Sequence, residues 1–279
     1  TVEVPAHEMG MGTATTQSLI TAERLGLPLE RVTVAYGDSE FPGVVLAGGS
    51  SQTATVAAAV IAAHRSLVTQ LLTLAGEDSP LAGLTADEVG GRDGGLCELA
   101  DPERWESYAA MLERAGRHEL TVVATAGMPK ELEARSIHSY GALFCEVRVN
   151  AITGETRIER FLGSYDCGRI LNPKTAISQF RGGIIMGLGL ALMEETEFDE
   201  RTGRIMNPSL AEYRVPVHTD VPRIEVIWTD IPDPHTPMGA RGIGEIGIVG
   251  VGAAVANAVY NATGRRVRDL PITLDKLLR

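Results

Sequence analysis

Aromatic residues make up only 5% of this 279-residue sequence, and there are three cysteines. Cys97, Cys145 and Cys167 lie far apart and form no C-x-x-C, which argues against an iron–sulfur cluster or structural zinc held by the chain itself. Free, buried thiols are the simpler assignment. The six histidines contain no H-E-x-x-H and no close pair, so no metal cluster is expected from them. Positive charge is in deficit, with 25 Lys and Arg against 36 Asp and Glu and a net charge of −11. That balance argues against nucleic acid or an anionic membrane as a partner. No run approaches the ~18 uncharged apolar residues of a membrane span. Thr1-Val2-Glu3-Val4 has no basic stretch leading into an apolar one, so no signal peptide is expected at this end. It also lacks an initiator Met and opens inside a strand-like alternation, so the chain is expected to be a piece of a longer protein.

Present instead are a 44% hydrophobic and 22% charged composition, that of a globular protein, and 31 glycines. The front part predicts a strand at 1–8, a helix at 13–26 stopped by Gly26, a strand at 31–36 and a long Ala/Val-rich helix at 52–74. Residues 76–101 are rich in Gly, Asp and Glu and predict a surface excursion, in which Thr85-Ala86-Asp87-Glu88 fits a capping box opening a short helix. An amphipathic helix is predicted at 101–116 and a strand at 120–126, while 131–140 is ambiguous. Farther on, strands at 141–149 and 155–162 flank a hairpin signal ending in Gly154. A loop at 166–173 leads into a helix reaching about residue 195, with close-packing glycines Gly182, Gly183, Gly187 and Gly189. A strand at 223–230, a proline-rich loop at 231–237 and a helix at 253–262 capped by Gly264 complete the pattern. Helices and strands alternate irregularly with hairpins among them, which favours an α+β (mixed α/β) fold over a doubly wound sheet. The division expected is 1–118 and 119–279, with interleaving of the two left open.

Strand, glycine loop and helix recur three times, and backbone N–H groups at a helix start suit an anion. The loops are Gly10-Met11-Gly12-Thr13, Gly48-Gly49-Ser50-Ser51 running into Gln52 and Thr53, and Gly168 to Asn172. Any one alone is better explained by a structural turn. Three together, with Ser, Thr, Gln and Asn donors beside the glycines, suit a large polar ligand carrying phosphates. No Walker or kinase signature is present.

Gly242-Ile243-Gly244-Glu245-Ile246-Gly247 satisfies G-x-G-x-x-G, and Asp269 lies at a plausible distance for a ribose contact. The context fails, because the predicted strand 223–230 is separated from Gly242 by the proline-rich loop rather than feeding into it. Glu245 is the one charged side chain between Gly242 and Gly264. Two roles suit it: a carboxylate satisfying N–H groups at a helix N-terminus, or a general base in a largely dry site walled by Ile243 and Ile246.

Gly244-Glu245 in its glycine-rich surround resembles the active-site glutamate segment of the xanthine dehydrogenase/aldehyde oxidoreductase family of molybdenum hydroxylases. So do Asp166-Cys-Gly-Arg-Ile-Leu-Asn-Pro173 followed by Gln179 and Gly182, and the two front loops. The tail from Val259 to Leu278 is similar to the large subunit of bacterial periplasmic-type aldehyde oxidoreductases. The resemblance covers nearly the whole chain, least distinctively at 77–118. It implies molybdopterin, in bacteria usually the cytosine dinucleotide, bound by Gly10, Met11, Gly12, Thr13, Gly48, Gly49, Ser50, Ser51, Gln52, Thr53, Asn172, Gln179 and Gly244. It implies no protein ligand to the molybdenum, Glu245 as general base, and oxidation of aldehydes, N-heterocycles or purines with water-derived oxygen. It further implies iron–sulfur and flavin (FAD) centres on partner subunits, and a large preceding portion of the subunit. Compartment follows the complex: cytoplasmic, or periplasmic where a partner carries the export signal. Family members often have Gln where Met11 stands, so only backbone contacts carry over there. The competing expectation is a catalytically silent cofactor-binding or scaffold module.

Overall fold

The structure, a computed structural model, describes residues 1–127 and 134–278. The chain divides into two compact units, Thr1–Ser136 with Pro234–Met238, and Ile137–Asp233 with Gly239–Arg279. Helices and sheets are mixed, in accord with the α+β expectation.

In the first unit, β1 (Val2–Val4) and β2 (Val34–Tyr36) pair in parallel, Val2 opposite Val34. Parallel neighbours need a crossover, and α1 (Thr13–Leu25) provides it. α1 stops at Gly26, whose left-handed φ of 57° lets its N–H return to the carbonyls of Ala22 and Glu23. α2 (Gln52–Ala75) is the long apolar helix. Its Val68, Leu71 and Ala75 pack with Leu81, Val89, Leu96 and Met111.

The stretch expected to be a surface excursion is therefore part of a core. It forms an antiparallel sheet of β3 (Val89–Arg92), β4 (Gly95–Glu98) and β5 (Trp105–Ser107), followed by α3 (Tyr108–Arg114). Glycine serves close approach there: a Cβ on Gly95 falls 2.1 Å from the Glu106 carbonyl oxygen. Only half of the Thr85 capping box forms, with Thr85 N–H and Oγ1 each donating to Glu88 Oε2 at 2.8 Å while Glu88 N–H goes to the Thr85 carbonyl, and no helix follows because Val89 enters β3. The helix expected at 101–116 is shortened to α3, because pairing with β4 takes Trp105–Ser107 and Ser107 then caps Ala110 N–H. Residues 120–126 pair with no strand among the described residues, so their alternation does not produce one. The ambiguous stretch at 131–140 lies partly outside the described residues.

In the second unit, β6 (Tyr140–Val149) and β7 (Thr156–Asp166) form the expected hairpin, with Asn150 Oδ1 accepting from Ile152 and Thr153 N–H. β8 (Arg223–Trp228) lies parallel to β7 on its other side. Phe161, Gly163 and Tyr165 alternate inward along β7. Against this sheet pack α4 (Pro173–Leu192) and α5 (Val251–Thr263) through Phe161, Ile184, Leu188, Val251, Val255 and Val259. Each such buried side chain contributes about 1.5–3 kcal/mol. By length and mean hydropathy α2 and α4 would suffice to cross a membrane, which the sequence did not suggest. Each carries an arginine within its span, Arg65 or Arg181, and each contributes a face to a core.

Candidate cofactor site

The two front loops meet inside the first unit. Gln52, the first residue of α2, is buried, and its Nε2 donates to the His7 carbonyl at 2.7 Å and to Thr13 Oγ1 at 2.8 Å. Its Oε1 accepts from His7 N–H at 3.3 Å. Thr13 opens α1, so this one amide ties the starts of both helices and both glycine loops together. Gln17, fully buried one turn along α1, donates to the Thr53 carbonyl at 3.1 Å and leaves its own Oε1 without a hydrogen-bond partner. Gln52 and Thr13, expected to face a ligand, are the internal struts beneath the loops.

What the loops turn outward is mostly backbone. A Cβ on Gly10 or Gly49 meets no heavy atom within 4 Å, so a ligand has room to approach the main chain there. Gly12 and Gly48 are half-buried beside them. Ser50 adopts a left-handed φ of 55°, and Ser51 Oγ closes the second loop by donating to the Gly48 carbonyl at 2.9 Å. Met11 Sδ accepts from Met9 N–H at 3.3 Å.

Glu8 was not singled out from sequence, yet it organises the first loop. Its Oε1 accepts from Gly10 N–H at 2.9 Å and Gly12 N–H at 3.0 Å. Partial burial pushes its carboxyl up, but the N–H groups of Gly12, Gly10, Thr13 and Ala14 prevail and hold it below the ordinary glutamate range. The protein's own carboxylate thus lies where the glycine pattern suggested a phosphate. The signal in the sequence was an acid two and four residues ahead of glycines.

Asn172, Gln179, Gly244 and Glu245 belong to the second unit. Asn172 is the N-cap of α4, its Oδ1 accepting from Lys174 N–H at 3.1 Å and Thr175 N–H at 3.4 Å, with Pro173 at the first helical position. Gln179 is half-buried on α4 next to fully buried Phe180. Phe180 stacks on Tyr165 with ring centroids 4.4 Å apart, and Trp228 lies 6.5 Å beyond.

Ile243 and Ile246 pack on this aromatic layer together with Cys167 and Ala176. Gly247 is buried against α4: a Cβ on Gly183 would come within 2.7 Å of Gly247 Cα. Gly244–Gly250 is a run of turns, with Ile248 N–H donating to the Glu245 carbonyl at 3.3 Å, and α5 begins at Val251. No strand feeds Gly242, so the G-x-G-x-x-G pattern is not a dinucleotide fingerprint here. The isoleucines do not wall Glu245. They point into the core, whereas Glu245 and Gly244 are exposed in this chain. Glu245 also sits ahead of α5, not in its first turn.

Upstream of that turn, Arg241 pairs with Asp166 and Asp233, each at 2.9 Å. Spacings of 75 and 8 residues left this cluster invisible in sequence, although Asp166 begins a quoted motif. Burial pushes the Asp166 carboxyl up, but the Thr229 and Tyr140 hydroxyls, Gly168 N–H and Arg241 hold it below the usual aspartate range. Among the described residues no group of three or more His, Cys, Asp or Glu side chains is placed to hold a metal ion.

Residues 1–222 match the family model described as a molybdopterin cofactor-binding domain. The aldehyde oxidoreductase molybdenum-binding subunit PaoC of Escherichia coli K12 is 41% identical over 291 residues, which cover 100% of this chain and 36% of that protein. The 6-hydroxypseudooxynicotine dehydrogenase complex subunit gamma of Paenarthrobacter nicotinovorans is 30% identical, covering 99% of this chain and 35% of the relative. Quinoline 2-oxidoreductase of Pseudomonas putida 86 shares the fold, with a TM-score of 0.82 at 24% identity over 98% of this chain and 35% of that one. The chain thus spans little more than a third of the length of these relatives. With its paired glycine loops and its turn-borne glutamate, the chain belongs to the molybdopterin cofactor-binding domain family, of the xanthine dehydrogenase/aldehyde oxidoreductase kind.

Proposed function

We propose that this chain is the cofactor-carrying, catalytic portion of a molybdenum hydroxylase subunit, and that Glu245 is its general base. The observation that carries the assignment is the presentation of Glu245. It is an exposed carboxylate on a turn whose neighbours Ile243, Ile246 and Gly247 are fixed into the core. A base must be accessible to the proton it removes yet held in place, and this turn supplies both properties.

The residues fit a molybdopterin. The open backbone at Gly10 and Gly49 leaves room for a bulky polar group to approach the main chain. Gly10, Met11, Gly12, Gly48, Gly49, Ser50 and Ser51 would line it through backbone, with Thr13, Gln52 and Thr53 holding the loops. By the family resemblance, Gln179 and Gly244 in the second unit, taken by itself, are assigned to cofactor contact, and Asn172 to shaping its own loop through the cap it provides to α4. The molybdenum carried by a bound molybdopterin would supply the two-electron acceptor and the activated, water-derived oxygen. Glu245 would serve there as the proton acceptor. The form we propose is the cytosine dinucleotide, which acid treatment would release as cytidine monophosphate.

Aldehydes are the substrate class we favour, because the most similar relative named above is an aldehyde oxidoreductase subunit; N-heterocycles and purines follow from other relatives. Relatives named as a complex subunit or a large chain support partner subunits, for which we propose iron–sulfur and flavin proteins. In the complete subunit assembled with its partners, Glu245→Gln should abolish turnover while molybdenum and pterin contents stay near normal. Near-normal turnover by the loaded variant would refute the assignment. A second function, cofactor holding without turnover, is supported by the match to a cofactor-binding domain; turnover by the complete assembly decides against it.

A further inference from the structure

Asp166, Asp233 and Arg241 form an ion cluster with side chains 14%, 6% and 17% exposed. Arg241 uses one terminal nitrogen for each carboxylate, and Nη2 also donates to the Asp166 carbonyl at 3.3 Å. Around it the backbone is stitched. Arg241 N–H donates to the Cys167 carbonyl at 2.9 Å, and Arg169 N–H to the Gly239 carbonyl at 2.7 Å. Gly168 bridges to Ala240, and a Cβ on Gly168 would fall 2.3 Å from the Gly239 oxygen. Asp233 N–H also donates to the Gly239 carbonyl at 2.9 Å. Ile170 N–H is taken by Asp230 Oδ1 at 2.8 Å, and Thr229 Oγ1 donates to Asp166 Oδ1 at 3.0 Å.

Three stretches, 166–170, 229–233 and 239–241, are therefore joined at one guanidinium. The chain leaves that junction directly into Gly242 and Glu245. Beyond Glu245 the next fixed points are Ile246, packed on the aromatic layer, and Gly247, packed on Gly183 and Phe180. The glutamate is carried on a short span pinned at both ends, upstream by the packing of Ile243 and, immediately before it, by the electrostatic junction at Arg241. One guanidinium facing two carboxylates leaves the cluster net negative. Without Arg241, two largely buried carboxylates would lose their shared counter-ion, and the stitched backbone around them would be driven to open.

We propose that Arg241 is a positioning residue for Glu245: its bridge between Asp166 and Asp233 sets where the glutamate-bearing turn sits. This rests on the general-base role given to Glu245 above. Lysine keeps the charge but not the planar fork, so it reaches the two carboxylates less well.

The test uses the complete molybdenum subunit in its assembled complex, with Arg241→Met, Arg241→Lys, Asp166→Asn and Glu245→Gln made in parallel. Molybdenum and pterin contents, kcat and KM for an aldehyde, and amide hydrogen exchange across 239–248 are measured. Arg241→Met is expected to retain cofactor, to lower kcat by ~100-fold, the cost of about 1 Å of misplacement, and to change KM less than ~3-fold. Exchange across 239–248 should quicken, and Arg241→Lys should recover part of both effects. Wild-type kcat in Arg241→Met, or a fall explained wholly by lost cofactor with exchange unchanged, overturns the proposal. If Arg241→Met does not assemble, Asp166→Asn decides by the same two readouts. Near-normal turnover by Glu245→Gln sinks the general-base role alone, and exchange across 239–248 then still decides whether Arg241 sets the turn.

Discussion

Gly183 on α4 and Gly247 in the glutamate turn touch backbone to backbone. A Cβ on Gly183 would lie 2.7 Å from Gly247 Cα, and one on Gly247 would lie 2.7 Å from the Phe180 carbonyl oxygen. Neither obstacle is a side chain that could rotate away. Gly183→Ala or Gly247→Ala should therefore destabilise the protein by about 1–3 kcal/mol, the usual range for overpacking. On Gly182, by contrast, a Cβ meets nothing within 4 Å. Gly182→Ala should be neutral or stabilising by up to ~1 kcal/mol through helix propensity. Thermal melts of the three variants check the contrast, and equal effects at 182 and 183 would contradict it.

Gln52→Leu should loosen both front loops together. It removes the donors to His7 O and Thr13 Oγ1 and leaves the Thr13 hydroxyl without this partner in a buried place, at a cost of about 1–3 kcal/mol. Chemical denaturation measures the loss. In the assembled enzyme, pterin content per subunit should fall as well.

Glu8→Ala should lower cofactor retention, because Gly10 and Gly12 N–H lose their acceptor and the first loop its shape. Glu8→Gln keeps an acceptor oxygen and should retain most of it. The depressed carboxyl of Glu8 stabilises the loop above the unfolded glutamate value of about 4.3 and stops doing so as pH falls through its folded value. Glu8→Gln should remove that acid dependence, as read from pterin release between about pH 3 and 6.

The same sign applies to Asp166. Its folded pKa is lowered, so its contribution is complete above the unfolded aspartate value of about 3.9 and vanishes on further acidification. Asp166→Asn should flatten this part of the stability–pH curve, as followed by melts between about pH 2 and 6.

Thiol chemistry offers an independent check on packing. Burial pushes the Cys145 thiol up to about 12 and the Cys167 thiol to about 11, and Cys97 is buried. The thiolate is the reactive form. None of the three should react with iodoacetamide at neutral pH until the protein is unfolded, as counted by mass spectrometry.

Much of the second unit was legible because its signals are local. Asn150 to Gly154 marks the hairpin, Asn172-Pro173 marks the start of α4, and Gly264 ends α5. In the first unit, Gly26 and the Ala/Val run gave α1 and α2 for the same reason. The β3–β4–β5 sheet was not legible. Its Gly90-Gly91 and Gly94-Gly95 pairs read as loop, while their actual use is close approach: a Cβ on Gly91 would sit 2.4 Å from the Arg24 carbonyl oxygen. Contacts across that many residues leave no periodicity to detect.

The site shows the same split. The glycine loops and Glu245 stand out by composition. Glu8 and Arg241 do not, since what matters is which N–H or carboxylate each meets in space. Glu245 was expected to be enclosed because its neighbours are apolar. Ile243 and Ile246 are turned inward, and the residue between them and its glycine face outward.

One feature of the chain's course bears on how it could be dissected genetically. Residues Pro234–Met238 belong to the first unit, although everything from Ile137 to Asp233 and from Gly239 onward belongs to the second. No single cut in the gene yields both units whole. A split after Ser136 gives a second piece still carrying five residues of the first unit, inserted seven residues ahead of Glu245. Recombination that exchanges one unit between relatives would have to respect three junctions, which favours inheritance of the pair as a block.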